Sequence, residues 1–297
     1  MQFMGEVVEI GRSNIEWSGS QVDHHLWRNR LNRFLFITSL AAAYRKTGNK
    51  KYAEAARDYV LDWIRAHPPR KGWQLTWDDN PLNLPIRIGD NPTAPRGWLG
   101  TLPYFLSSDA FEEEFVKLIV ASLRCQLRWL KDNLSPAGNF RTFQGMSFIN
   151  AGVRLSFLPR AEEWKDFGSR VMNDLARRQV HSDGSHEEHT PEFHLGAMGA
   201  LRRCTILQEL FPDLGLCVDA LKVAGMYDYA LAVTRPDGSL CGMNDSAPRE
   251  GGPGLQDRLR AREHFRQHHD LPEKAPSLAQ VFPDAGQAFF RDAWSEE

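Results

Sequence analysis

Apolar residues recur at steps of three and four over most of this chain, and that period commits it to helices. Between Asp23 and Tyr44, Leu26, Trp27, Leu31, Phe34, Leu35, Leu40, Ala41 and Tyr44 share one face, with Arg28, Asn29, Asn32 and Arg33 between them. This is an amphipathic stripe whose apolar side has to be buried. Thr47-Gly48-Asn49 ends it, and Tyr52, Ala55, Ala56, Tyr59, Val60, Trp63 and Ile64 resume the period until His67-Pro68-Pro69. Two helices joined by so short a link form a hairpin. The pattern returns over 111–130, 143–157, 161–179, 190–211 and 214–233. Strand candidates are few: Val7 to Ile10, and two short runs separated by Pro283-Asp284-Ala285-Gly286. The expected fold is mainly α, a series of helical hairpins with a short C-terminal β segment.

A chain of 297 residues, 42% hydrophobic and 25% charged, can close a large core. Lys and Arg total 36 against 38 Asp and Glu, a net charge of −2. No global basic field is present to hold nucleic acid or an anionic membrane, so an acidic ligand has to be met by local arginines. No apolar run approaches the roughly 18 to 20 residues of a membrane span. Met1 to Glu16 lacks the basic start and apolar stretch of a signal peptide. Cys125, Cys204, Cys217 and Cys241 show no CxxC spacing and are expected as buried free thiols.

Two long connections stand out. Arg70 to Trp98 carries Trp73, Trp77 and Trp98 among prolines and glycines, with Arg87 and Arg96 as cations; Thr234 to Gly254 carries Arg235-Pro236-Asp237-Gly238 and Asn244-Asp245-Ser246. Connections this long inside a helical domain are often functional. Aromatic faces beside arginines suit sugar rings bearing carboxylate or sulfate, and anchoring of the tryptophans on the core is the equal alternative.

The densest polar cluster runs from His181 to His194 and includes Asp183-Gly184-Ser185-His186-Glu187-Glu188-His189-Thr190-Pro191. Asp183-Gly184 signals a turn, Thr190 is a good N-cap and Pro191 suits the first helical position. Acid, base and hydrogen-bonding groups therefore gather beside a helix N-terminus, where negative charge is favoured; a solvated polar cap is the bland alternative. His186 and His189 lie three apart and precede the helix, so the HExxH requirement of a catalytic zinc fails, and no metal or cofactor is expected here. A second turn, Ser135 to Thr142, leads into another helix; Asn139 there serves either as an N-cap or as an inward amide donor to a substrate carboxylate.

These motifs, with the repeated hairpins, resemble the N-terminal helical toroid of the heparinase II/III-like polysaccharide lyases, a group that includes related alginate lyases. The residues that fit are Gly11 to Trp17, Trp27 to Arg33, Tyr44 to Tyr52, Gly138-Asn139, and Asp183 to Glu187 with Pro191 and His194. The resemblance implies an incomplete (α/α) toroid over 1–275 and the opening of a truncated β-sandwich over 276–297. It implies an acidic polysaccharide or oligosaccharide as partner, with no nucleic acid and no membrane, and relatives that often work in the periplasm. The implied reaction is β-elimination at a uronic-acid residue. Donors neutralise the carboxylate, a base takes the C5 proton and an acid protonates the leaving oxygen.

In the family an asparagine neutralises the carboxylate, and Asn139 matches it. His189, His194 and Glu188 are the candidates for proton transfer; Arg87, Trp77, Trp98, Arg141, His186 and Phe193 are the candidates for substrate binding. The family commonly has a tyrosine where this chain has Phe193, and a histidine where it has Phe140. Two other readings share the fold. One is glycoside hydrolysis by a carboxyl pair drawn from Asp183, Glu187, Glu188 and Asp245; the other is a non-catalytic carbohydrate-binding remnant.

Overall fold

A computed structural model describes residues 1–3, 5–74, 81–91, 96–246 and 253–294. In chain order its elements are β1 (Gln2–Phe3), β2 (Glu6–Val7), α1 (His25–Asn32), α2 (Ile37–Thr47), α3 (Lys51–Ala66), α4 (Asn83–Ile88), α5 (Gly97–Thr101), α6 (Glu113–Asp132), α7 (Asn139–Arg154), α8 (Ala161–Arg178), α9 (Pro191–Leu210), α10 (Ala220–Ala232), α11 (Leu255–His268), β3 (Ala279–Phe282) and β4 (Gln287–Phe290). The fold is mainly α with a short C-terminal β segment, as expected, and no described helix is long and apolar enough to cross a membrane. The chain forms two compact units, Met1–Ser135 with Phe143–Gly168, and Pro136–Thr142 with Ser169–Glu297.

In the first unit the single helix expected over 23–44 is broken between α1 and α2. Phe34 takes a left-handed backbone conformation, φ 55°, which is uncommon for a bulky side chain. Its ring, fully buried, stacks on Trp17 at 5.1 Å and meets Trp98 edge-on at 5.4 Å. Burying a phenylalanine is worth about 1.5–3 kcal/mol, enough to hold a strained residue that costs about 1–3 kcal/mol. Gly48 ends α2 at φ 63° with its N–H on the Tyr44 carbonyl, the left-handed stop that the Thr47-Gly48-Asn49 sequence predicts. Of the early strand candidate only Val7 is in a strand, because its partner Gln2–Phe3 at the start of the chain offers a ladder only two residues long.

Arg87 and Trp98, expected to meet sugar, lie in the core of this unit instead. The Arg87 guanidinium sits 4.1 Å from the Trp63 ring, donates to Gln126 Oε1 at 3.1 Å and donates to the Asn32 carbonyl, at the end of α1, at 2.7 Å. A cation at a helix C-terminus answers orphan carbonyls, so Arg87 ties helices together and presents nothing to solvent. Trp98 is 1% exposed and meets Trp63 edge-on at 5.3 Å.

In the second unit α10 packs against both α9 and α11. Helix α11 escapes the sequence pattern because its buried side includes Arg262 and Arg266 beside Leu255 and Phe265. Arg262 Nε donates to Asp228 Oδ1 at 2.6 Å and Arg266 to the Pro272 carbonyl at 2.7 and 3.0 Å, so partners replace apolar contact. Strands β3 and β4 pair antiparallel, Ala279 with Phe290 through Phe282 with Gln287. Phe282 and Phe289 pack on Tyr229 of α10, whose hydroxyl donates to Gln287 Oε1 at 2.7 Å. Arg291 donates to the carbonyls of Leu231, Ala232 and Thr234, closing the C-terminus of α10. All four cysteines are free; Cys125 and Cys204 are buried as expected, whereas Cys217 is exposed and Cys241 half-buried.

Candidate active site

The polar cluster of the sequence folds into a tight loop in the second unit. Val180 and His186 form an isolated antiparallel bridge, with Asp183-Gly184 at the turn. Asp183 Oδ1 accepts from the Ser185 N–H at 2.9 Å and its hydroxyl at 2.7 Å, the local bonding that makes aspartate a turn residue. Gly184 sits at φ 89°, and a Cβ there would lie 2.3 Å from the Gly225 carbonyl carbon. Two glycines thus let the loop touch the backbone of α10. The turn is also tied to the terminal hairpin: Ser182 Oγ donates to Asp284 Oδ2 at 2.7 Å, and the Asp284 N–H donates to Asp183 Oδ2 at 2.8 Å. Asp237-Gly238-Ser239 repeats this device, with a Thr234–Leu240 bridge and a Ser239 N–H to Asp237 Oδ1 bond of 2.9 Å.

Beyond the bridge, Glu187 and Glu188 reach the N-terminus of α7. The Gly138 N–H donates to Glu187 Oε1 at 3.0 Å, and the Asn139 N–H to Glu188 Oε2 at 3.0 Å. The Asn139 side chain adds Nδ2 bonds to both Glu188 oxygens, at 3.1 and 3.0 Å. Gly138 takes φ 80°, and a Cβ there would fall 2.9 Å from Glu188 Oε1, so the approach requires glycine. One backbone amide and the Asn139 carboxamide hold the Glu188 carboxylate, and the Gly138 amide holds that of Glu187, all at the positive end of the α7 dipole. The α7 N-terminus thus holds two of the chain's own carboxylates, those of Glu187 and Glu188.

The three histidines differ sharply. His194 is fully buried, its Nε2 2.9 Å from the Met226 carbonyl, and burial pushes its pKa down to about 3. A carbonyl only accepts, so Nε2 carries the proton. His186 is also fully buried and pushed down to about 4 by desolvation, then by His181 and His189. Its Nδ1 accepts from the Glu188 N–H at 3.3 Å, so the 3.7 Å approach of Glu188 Oε2 to this nitrogen joins a carboxylate to a neutral ring and is no ion pair near neutral pH. His189 is half-buried, takes φ 48°, and its Nε2 has no hydrogen-bond partner.

Thr190 occupies the N-cap position of α9 with Pro191 next, as expected, but its hydroxyl donates back to the Glu188 carbonyl at 2.9 Å. The cap bond is made by Ser246, whose Oγ accepts from the Glu192 N–H at 2.8 Å. Asn244 Nδ2 donates to the His189 carbonyl at 2.8 Å. The loop 234–246 therefore shapes the site through Asn244 and Ser246. Sequence alone signals the loop but not these roles, since the partners lie more than 50 positions away.

Asn139, Glu188, His186 and His189 are thus brought together. Arg141, close in sequence, donates to the Pro136 carbonyl at 3.1 Å and lies 4.0 Å from Asp174. Phe193 is half-buried on the first turn of α9. Trp77 lies outside the described residues.

The sequence model described as heparinase II/III N-terminus matches residues 3–271. A heparin-sulfate lyase of Pedobacter heparinus is 27% identical over 210 residues, 67% of this chain and 30% of that protein. A heparin-sulfate lyase of Bacteroides stercoris is 25% identical over 215 residues, 67% of this chain and 31% of that one. The chain matches less than a third of the length of these relatives. Among solved structures, a heparinase III superposes with TM-score 0.72 and 22% identity, over 91% of this chain and 39% of that one. A heparan sulfate lyase mutant from Pedobacter heparinus gives 0.69 and 21%, over 99% and 47%. At these identities the structures establish the shared fold.

Proposed function

The chain belongs to the heparinase II/III N-terminus family, and on that premise we propose that it serves β-elimination at a uronic-acid residue of an acidic polysaccharide of the glycosaminoglycan or alginate kind. The observation that carries this reading is the Glu188 carboxylate held by Asn139 at the start of α7. A substrate uronate carboxylate takes the place of the Glu188 side chain on the same donors. Donors fixed there stabilise the negative charge that builds on the carboxylate as the C5 proton leaves, and need no rearrangement to do so.

Proton transfer falls to His189. His186 and His194 are fully buried and pushed toward the neutral form by desolvation, whereas His189 is half-buried and follows directly on Glu188. Phe193 stands where the resemblance puts a tyrosine, so in this reading proton transfer has to proceed without that hydroxyl.

The test is incubation of the full chain with heparan sulfate, chondroitin sulfate and alginate, following the ultraviolet absorbance of the unsaturated uronate product. Signal that disappears in Asn139→Ala supports the reading. No signal from any substrate, with none gained in Phe193→Tyr, ends it. Phe193 itself favours a second reading, a carbohydrate-binding protein without turnover, which glycan binding with no product in either variant would identify.

A further inference from the structure

We infer that Glu209, His268 and His269 form a binding site for a divalent transition-metal ion of the zinc class. The site lies within the second unit, away from the carboxylate-binding turn: Glu209 is in the last turn of α9, His268 ends α11 and His269 is its C-cap. His268 Nε2 lies 3.0 Å from Glu209 Oε2, and His269 Nδ1 lies 3.2 Å from Glu209 Oε1. One ligand atom from each residue falls within 4.8 Å of the others. Ligands about 2.0–2.2 Å from a tetrahedral ion lie roughly 3.3–3.6 Å from one another, so small side-chain adjustments close the shell.

The hydrogen-bond pattern calls for a cation. The Thr205 hydroxyl spends its one proton on the Arg202 carbonyl, at 2.8 Å. Toward His269 Nε2, 3.3 Å away, it can only accept, so that nitrogen carries the ring proton. In the neutral ring Nδ1 then presents a lone pair to the lone pairs of Glu209 Oε1. Two acceptors face each other at 3.2 Å. A metal ion relieves it with the ring neutral, which is the ligating form, and the Thr205 contact is the partner that fixes a ligating imidazole.

The donor set selects the metal. Two imidazoles and a carboxylate suit zinc, nickel or copper; calcium and magnesium take oxygen shells. His264, one turn earlier on α11 and exposed, lines the same cleft with Arg202, whose side chain is hydrogen-bonded to Tyr227. His268 and Glu209 are about half exposed, so the ion has an entry path and room for water as a remaining ligand.

The test is equilibrium dialysis of the full chain against zinc chloride near neutral pH, with calcium and magnesium chloride alongside. Expected is one zinc equivalent that is lost in His268→Ala combined with His269→Ala, with affinity lowered roughly 10–100-fold in Thr205→Val, the loss typical of an outer-shell partner. The double variant is checked for an unchanged circular-dichroism spectrum. Zinc that binds this double variant as tightly as the parent chain overturns the site, because the ion then sits on other histidines. Absence of saturable zinc binding, or equal affinity for calcium, overturns it as well. His268→Ala alone, at a half-exposed position, keeps the test decisive should the double variant fail to fold.

Discussion

Asn139 grips the Glu188 carboxylate three times, twice through its side-chain amide and once through its backbone N–H, all between 3.0 and 3.1 Å. Asn139→Ala removes the two side-chain bonds and leaves a carboxylate half-satisfied. The expected cost in stability is about 1–3 kcal/mol, read from the urea midpoint at constant m. If the proposed lyase reaction holds, turnover falls by roughly 10²–10³, the effect of deleting one charge-stabilising donor.

Phe193→Tyr places a phenolic hydroxyl on the first turn of α9. A correctly placed general acid or base contributes on the order of 10² to 10⁴ in rate. The expected outcome is a gain of that order in the initial rate of unsaturated-uronate release, with circular dichroism unchanged. An unaltered rate would show that position 193 does not face the scissile bond.

Acid should unfold the protein through its buried histidines. His194 is lowered to about 3, and His186 and His67 to about 4, from an ordinary 6.5, with burial the leading cause in each. Depressed histidine values mean that the unfolded chain binds protons first as pH falls below 6.5. Stability is then full above that value, declines toward 4 and stays low beneath it. Lowering a pKa by one corresponds to about 1.4 kcal/mol, so the combined loss is several kcal/mol. Urea midpoints that do not fall between about pH 7 and pH 4.5 would contradict it.

Gly184 and Gly196 should respond in opposite directions to alanine. At Gly184 the backbone is left-handed and an added Cβ meets Gly225 at 2.3 Å, whereas Gly196, inside α9, has open space around it. Gly184→Ala is expected to cost at least about 2 kcal/mol. Gly196→Ala should gain up to about 1 kcal/mol from helix propensity. Thermal melts of the two variants give the comparison directly.

Much of the helical order is legible in sequence because apolar stripes mark α3, α6, α8 and α9 to within a few residues. The period fails where something other than apolar contact decides. Phe34 breaks a continuous stripe because its ring gains more inside a tryptophan cluster than the helix gains from continuity. Helix α11 hides because Arg262 and Arg266 fill buried positions with hydrogen bonds. At the candidate site, Asn139 and Glu188 lie in motifs dense enough to single out. Arg87 and Trp98 mislead because the composition of a long connection does not reveal which side meets the core. Ser246 cannot be foreseen as the cap of a helix that begins 55 positions earlier.

The reciprocal bonds between the Ser182-Asp183 turn and Asp284 have a consequence for how this chain can vary. One residue of extended chain spans about 3.3 Å, more than a hydrogen bond tolerates. An insertion or deletion between Phe282 and Gly286 therefore moves Asp284 off Ser182 and Asp183, loosening a loop about 100 positions away that carries Glu187 and Glu188. The length of the last hairpin turn and the shape of the polar motif are inherited as one character.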